Sequence, residues 1–146
     1  MRGTAKGKFT PKNPEKYIGQ KDPTYRSSWE LSFMLFCDNN PAIENWASES
    51  IKIPYKDPLT GRNTIYVPDF LIVYVDKNQK KHAEVIEIKP RNQTVIEAVG
   101  KNPARQAEYV KNMAKWQAAQ AYCKRFGLKF RVVNEQDIFH GTGKKR

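Results

Sequence analysis

The clearest structural signal in this sequence lies in residues 68–90, which run PDFLIVYVDKNQKKHAEVIEIKP. Phe70–Val75 is almost continuously apolar, which is typical of a strand that is buried on both faces. A polar loop, Asp76–Lys81, separates it from a second strand over Ala83–Lys89. The segment therefore predicts a hairpin of two neighbouring strands.

Charged side chains interrupt both of these strands. Asp69 directly precedes the first strand, and Glu87 lies inside the second, two residues before Lys89. Because residues i and i+2 of a strand point to the same face, Glu87 and Lys89 should project together. If the two strands pair, all three side chains converge at one end of the sheet. Carboxylates are the ligands that Mg²⁺ prefers, and a metal with a neighbouring lysine can promote phosphodiester hydrolysis.

The same charges have simpler explanations. A charged residue in a strand is often half of a salt bridge or part of a sheet edge, and Glu87 with Lys89 would satisfy that description alone. Lys89 could also be a plain phosphate contact. The presence of Asp69 on the preceding strand favours the catalytic interpretation over these alternatives.

The remaining elements complete an α/β pattern. The first helix begins near Ser27, and a long helix runs from about Pro103 to Phe126, with Pro103 well placed in its first turn. Shorter signals predict strands at Ile51–Tyr55 and Leu128–Val133, with a turn at Asp57–Gly61. The stretch Thr64–Val75 contains either one strand or two strands separated by a kink at Pro68. The order helix, three or four strands, long helix, strand predicts a small mixed sheet with helices on its faces.

Composition indicates one compact domain and a polyanionic partner. The chain has 146 residues, with 26 Lys and Arg against 15 Asp and Glu, a net charge of +11. Such an excess favours binding to nucleic acid. We predict a basic arm over 1–24 that becomes ordered on a partner, a domain over 25–139 and a basic tail over 140–146. Cys37 and Cys123 indicate buried thiols rather than a disulfide framework, and no segment predicts a membrane span or a signal peptide.

Several polar residues are candidates for supporting roles. Ser27 and Glu30 match a capping box, but Glu30 could equally face the sheet as a further metal ligand. Gln106 and Tyr109 share a face of the long helix. Gln106 is either a satisfied core amide or a contact to an active-site group or a DNA phosphate.

Basic side chains near the predicted site are candidate DNA contacts. Arg26 and Arg91 flank the site in sequence, and Arg105 lies in the first turn of the long helix. Each is by itself more readily explained as an ordinary solvated charge, so DNA binding by these three residues rests on their position.

The motif Pro68-Asp69 followed by Glu87-Ile88-Lys89 resembles the signature of PD-(D/E)xK nucleases. Tyr-Arg-Ser and Pro-Asp-Phe elements like those of this chain also occur in the endonuclease subunit of heteromeric cut-and-paste transposases. A closer likeness is to the head completion nucleases of tailed bacteriophages, carried by the segments Lys8–Tyr17, Tyr25–Glu30, Glu44–Glu49 and Ile53–Tyr55.

The resemblance implies a restriction-endonuclease-like fold with a three-layer core. It implies that Asp69, Glu87 and Glu30 bind the metal, Mg²⁺ with Mn²⁺ as a substitute, and that Lys89 is the catalytic lysine. It further implies a DNA substrate, action in phage head completion after packaging, and head or portal and neck proteins as partners. The expected location is the host cytoplasm or the virion. A homodimer is left open.

Two other functions remain as alternatives. A structural head-completion protein could keep the nuclease fold and bind DNA without cutting it. A junction resolvase or repair nuclease could share the same fold. The intact set of Asp69, Glu87 and Lys89 favours an active endonuclease over the structural alternative.

Overall fold

The structure, a computed structural model, describes residues 6–93 and 100–137. The predicted basic tail lies outside the described residues. Two short 3-10 turns occupy Pro14–Lys16 and Arg91–Gln93. The regular elements, in chain order, are β1 (Gly7–Lys8), β2 (Thr24–Tyr25), α1 (Ser28–Asn39), β3 (Ile43–Ser48), β4 (Ile53–Lys56), β5 (Asn63–Tyr66), β6 (Phe70–Val75), β7 (Lys81–Ile88), α2 (Pro103–Arg125) and β8 (Lys129–Val133).

The central sheet has the strand order β3-β6-β7-β8. Strands β6 and β7 pair antiparallel with Phe70 opposite Ile86, which confirms the predicted hairpin. Strand β8 joins β7 in the parallel direction, so α2 forms the crossover between them. Strand β3 completes the other edge of the sheet, antiparallel to β6. It was not predicted, because its sequence IENWAS does not alternate between apolar and polar residues.

Two apolar clusters cover the two faces of the sheet. On one face, Phe33, Met34 and Cys37 of α1 pack against Phe70 and Ile86. On the other face, α2 packs against the β4–β5 hairpin and strand β8, where the buried positions are Ile53, Tyr55, Tyr66, Trp116 and Ala119. This layering confirms the predicted α/β fold with a mixed sheet between helices. None of the helices in 6–93 and 100–137 is long and apolar enough to cross a membrane.

Strands β4 and β5 form a separate two-stranded hairpin that packs under α2. The predicted turn between them is confirmed, since the Gly61 N–H donates to the Asp57 carbonyl at 2.7 Å and Gly61 adopts a φ of 75°. Of the two alternatives for Thr64–Val75, the structure shows two strands separated at Pro68, which cannot donate to a strand ladder. As a result, β5 belongs to the hairpin and β6 to the central sheet.

The described part of the N-terminal arm, 6–24, packs on the domain within this single chain. The Tyr17 ring lies 4.7 Å from the Trp46 ring, centroid to centroid, in an edge-on arrangement. The Asp38 carboxylate accepts the backbone N–H groups of Lys12 at 2.8 Å and Asn13 at 3.0 Å. The expectation that the arm is ordered only on a partner is therefore wrong for these residues. The aromatic anchor and the carboxylate at the end of α1 hold it in place.

Asp38→Ala is expected to lower the free energy of unfolding by roughly 2–3 kcal/mol, because two N–H groups of the arm would lose their acceptor. The Asp38 side chain is only 2% exposed, and an acidic group in the last turn of a helix is unfavourable unless it is compensated. Urea unfolding would measure the change. Asp22→Ala, which removes the same charge from an exposed position of the arm, is the control. Equal stability of the two variants would contradict this role for Asp38.

Candidate active site

Pairing of β6 with β7 brings two carboxylates to one end of the sheet. In the β6–β7 register Phe70 faces Ile86, so Asp69 and Glu87 stand at the next pair of positions. Asp69 Oδ2 accepts the Ile88 backbone N–H at 2.8 Å, which fixes the Asp69 side chain across the strand gap. The predicted convergence of these residues is therefore present. Asp69 and Glu87 are called the carboxylate pair below.

Glu87 occupies a closely defined position on β7. Its side chain faces the α2 side of the sheet, and the residue is only 6% exposed. The buried Tyr66 hydroxyl donates to Glu87 Oε1 at 2.8 Å, and Lys89 Nζ lies 3.8 Å from Glu87 Oε2. A carboxylate accepting a hydrogen bond on one oxygen and facing a cation on the other is restricted in orientation. Strand β5 and the end of β7 thus position Glu87 together.

The two members of the carboxylate pair oppose each other electrostatically. Desolvation, followed by the charges of Glu87 and Glu30, raises the pKa of Asp69 well above its ordinary value. Desolvation also raises the pKa of Glu87, although the Tyr66 hydroxyl and the Lys89 charge act in the other direction. Like charges in a desolvated site disfavour ionisation of both groups. A cation bound between them would remove this penalty.

The residues present fit a divalent metal ion of the Mg²⁺ type. Such an ion usually keeps several waters and binds to one or two carboxylates together with substrate phosphates. The carboxylate pair supplies that number of ligands. No group of three or more His, Cys, Asp or Glu side chains in 6–93 and 100–137 is arranged to hold a metal. A closed cage made by protein ligands alone is therefore not present in this part of the chain.

The predicted capping box is present in part. The Glu30 backbone N–H donates to Ser27 Oγ at 3.1 Å, but Glu30 Oε1 accepts the backbone N–H of Arg26, at 3.0 Å, instead of that of the N-cap residue Ser27. Glu30 is also close enough to act on the site, because its charge contributes to the raised pKa of Asp69. Desolvation is the main cause that raises the pKa of Glu30 itself. Capping is thus observed, while metal binding by Glu30 remains a prediction.

Gln106 and Tyr109 were predicted to share an apolar face of the long helix. Gln106 is exposed, and its Nε2 donates to the Gly100 carbonyl at 3.0 Å, so the core-amide interpretation is wrong. The buried positions of α2 begin nearly two turns later, at Asn112, and Tyr109 is half-buried at their edge. Gln106 follows the N-cap residue closely, which is why it bonds locally instead of facing the core. Roles of both residues at the site remain predictions.

The three candidate arginines have different surroundings. Arg26 donates to the Glu49 carboxylate through Nε at 3.0 Å and Nη2 at 3.1 Å, so much of its charge is already compensated. The Arg91 backbone N–H donates to Glu135 Oε1 at 2.9 Å, and the Arg105 backbone N–H donates to the cap residue of α2. All three are exposed. DNA binding by these arginines remains a prediction.

Three residues near the site were not predicted from the sequence. Tyr66 contacts Glu87, Glu49 binds Arg26 and contributes to the raised pKa of Glu30, and Lys115 approaches from α2. The position of Tyr66, three residues before Asp69, was an available signal, since a hydroxyl this close in the chain can reach the neighbouring strand. Glu49 has a positive φ of 51°, which no local pattern of the sequence indicates. Lys115 is distant in sequence and hidden within a helix of mixed polarity.

Comparison with known proteins identifies the family. Residues 40–135, which include the carboxylate pair and Lys89, match the family described as "TnsA-like endonuclease N terminal". The chain is also 34% identical over 142 residues to the "Head completion nuclease" of Enterobacteria phage T4, an alignment covering 90% of this chain and 92% of that protein. These matches confirm the resemblance to PD-(D/E)xK nucleases and to phage head completion nucleases. The chain belongs to the TnsA-like endonuclease family, whose nuclease domain it carries on the sheet and helices described above.

Proposed function

We propose that this protein is a DNA endonuclease that depends on a divalent metal ion and cleaves with low sequence specificity. The observation that carries this proposal is the meeting of Asp69, Glu87 and Lys89 at one end of the β6–β7 pair, with Tyr66 holding Glu87 in position. A protein that only bound DNA would gain nothing from two opposed carboxylates beside the substrate, because they repel phosphates.

Each of these side chains has its own role in the proposed hydrolysis. Asp69 and Glu87 would hold the metal ion, which when bound supplies the positive charge that activates water and offsets charge on the phosphate. Lys89, beside Glu87, orients the attacking water or stabilises the phosphate as its negative charge increases. Tyr66 keeps Glu87 Oε1 occupied, so that Oε2 is the oxygen that faces Lys89. Water then forms a bond to phosphorus as one P–O ester bond breaks, the water loses a proton and the departing oxygen gains one, which leaves one phosphate end and one hydroxyl end.

Contacts to the DNA backbone account for low specificity. The net charge of +11 favours binding to any polyanion, and phosphate contacts carry no direct sequence information. Three exposed arginines near the site are the proposed contacts to DNA phosphates: Arg26, Arg91 and Arg105. For Arg26 this requires a DNA phosphate to compete with Glu49 for the guanidinium group.

The biological role that we propose is head completion in a tailed phage. The support for it is the similarity to the head completion nuclease of phage T4 over most of both chains. The protein would act on packaged DNA in the host cytoplasm or in the virion, with head or portal and neck proteins as partners. The chemistry of the site does not by itself indicate this biological role. A cleavage assay tests the chemistry without assuming the role.

A metal-dependent cleavage assay tests the proposal. We expect the purified protein to cut linear, nicked and branched DNA with Mg²⁺ or Mn²⁺ and to leave all three intact with EDTA. Cleavage of unrelated sequences at similar rates would support low specificity. Cutting confined to branched DNA would instead favour a junction resolvase. A protein that binds DNA in every condition and cuts none of the substrates would support the structural alternative.

A further inference from the structure

Lys115 lies on α2, far in sequence from the motif residues, yet it faces the same site. Its Nζ lies 5.6 Å from the centroid of the Tyr66 ring, on the side chain whose hydroxyl donates to Glu87 Oε1 at 2.8 Å. The neighbouring Trp116 is buried in the cluster between α2 and the β4–β5 hairpin. Lys115 therefore approaches Glu87 from the helix layer, whereas Lys89 approaches it along β7.

Lys115 lies in surroundings that make its positive charge unfavourable. Lys115 is half-buried, and it forms no salt bridge with any carboxylate in the described ranges 6–93 and 100–137. Lys111, one turn earlier, lies 4.0 Å from Asp57 and so has a partner of its own. Desolvation, and then repulsion from Lys89, lowers the pKa of Lys115, and the charges of Glu108 and Glu87 offset this effect only in part. An unpaired cation near a second cation needs an anion to offset it.

The charges around Glu87 are separated into two groups. Asp69, Glu87 and Glu30 are close enough to repel one another, since the charges of Glu87 and Glu30 both raise the pKa of Asp69, and this repulsion calls for a cation. Lys89 and Lys115, the lysine pair, stand on the strand end and on α2, and their mutual repulsion calls for an anion. A DNA phosphate ligated to a bound metal ion would satisfy both groups at once.

We propose that Lys115 is a phosphate-binding residue of the active site, which holds the DNA phosphate that lies next to the carboxylate pair and Lys89. The Lys115 ammonium group makes a cation–π contact with the face of the Tyr66 ring, and this contact directs it toward the site. The substrate class that this arrangement recognises is a phosphodiester of the DNA backbone, with no reading of bases. The inference deepens the proposed nuclease function and rests on it.

DNA binding measured without cleavage separates this inference from the nuclease proposal. Fluorescence anisotropy with a short duplex, in EDTA and in Ca²⁺, would be recorded across a series of salt concentrations. Lys115→Met is expected to weaken DNA affinity by roughly tenfold and to reduce the salt slope by about one ion. Lys115→Arg, which keeps the charge, is expected to restore the slope. Lys111→Met removes the same charge one turn away and serves as the matched control.

The outcomes are distinct. A reduced slope for Lys115→Met, with a wild-type slope for Lys111→Met, supports a phosphate contact at Lys115 whether or not the wild-type protein cuts DNA. Equal slopes for the two variants, or failure of Lys115→Arg to restore binding, would overturn the inference. Thermal unfolding of each variant accompanies the titrations, because a Lys115→Met protein that unfolds early would fail to bind for another reason. In that event Lys115→Gln, which keeps a polar end group, replaces it.

Discussion

Asp69→Asn is expected to reduce metal-dependent DNA cleavage by at least roughly 1000-fold while leaving the fold intact, since the carboxylate pair would lose one of its two charges. Asparagine keeps the shape of the side chain. Its oxygen can still accept the Ile88 N–H, a hydrogen bond that is 2.8 Å long in the wild-type protein. The substitution therefore removes the metal ligand without removing the strand contact. Single-turnover cleavage with Mg²⁺ would measure the loss.

A second measurement on the same variant does not involve catalysis. Without metal, Asp69→Asn should be at least as stable as the wild-type protein, because the repulsion with Glu87 and Glu30 disappears. With metal at about 100 times its Kd, the wild-type protein should gain about 2.7 kcal/mol of stability and the variant should gain little. Equal stabilisation of both proteins by Mn²⁺ would show that the metal binds elsewhere, and the proposed site would be wrong.

Lys89→Met should lower kcat by roughly 100–1000-fold and change DNA affinity far less, because its main contribution is expected in the transition state. Lys89 Nζ lies 3.8 Å from Glu87 Oε2, beside one of the two proposed metal ligands. Comparing kcat with the dissociation constant measured in Ca²⁺ would separate the two effects. This comparison also resolves whether Lys89 is a catalytic residue or a plain phosphate contact.

The control for this experiment lies on the same strand. Lys81 begins β7, is exposed, and pairs with Glu44 at 3.1 Å, so Lys81→Met removes an equal charge at the opposite end of the strand. Its kcat should stay close to that of the wild-type protein. A parallel fall of kcat and affinity in Lys89→Met would identify Lys89 as a binding residue only. The catalytic assignment would then be withdrawn.

The β6–β7 hairpin and the convergence of Asp69, Glu87 and Lys89 were predictable because they depend on local rules. The apolar run sets the strand, the polar loop sets the hairpin, and the two-residue period sets the shared face. The capping box at Ser27 and the extent of α2 were predictable for the same reason, since helix ends carry their own polar signals.

Contacts between distant segments could not be predicted in this way. Strand β3 has no periodic pattern and owes its conformation to pairing with β6. Tyr66 meets Glu87 only because the break at Pro68 sends β5 into a hairpin beneath α2. Lys115 comes close to Tyr66 and Glu87 only because α2 packs against this part of the fold. The order of the N-terminal arm depends on Asp38 and Trp46, which the sequence places far from it.

The parallel pairing of β7 with β8 has a consequence for synthesis of the protein. The Lys89 N–H donates to the Val133 carbonyl at 2.9 Å, so the end of the strand that carries Glu87 and Lys89 is secured by residues made more than a whole helix later. A nascent chain on the ribosome has these side chains before it has that clamp. The strand end that carries Glu87 and Lys89 can therefore become fully ordered only after α2 and β8 have been synthesised.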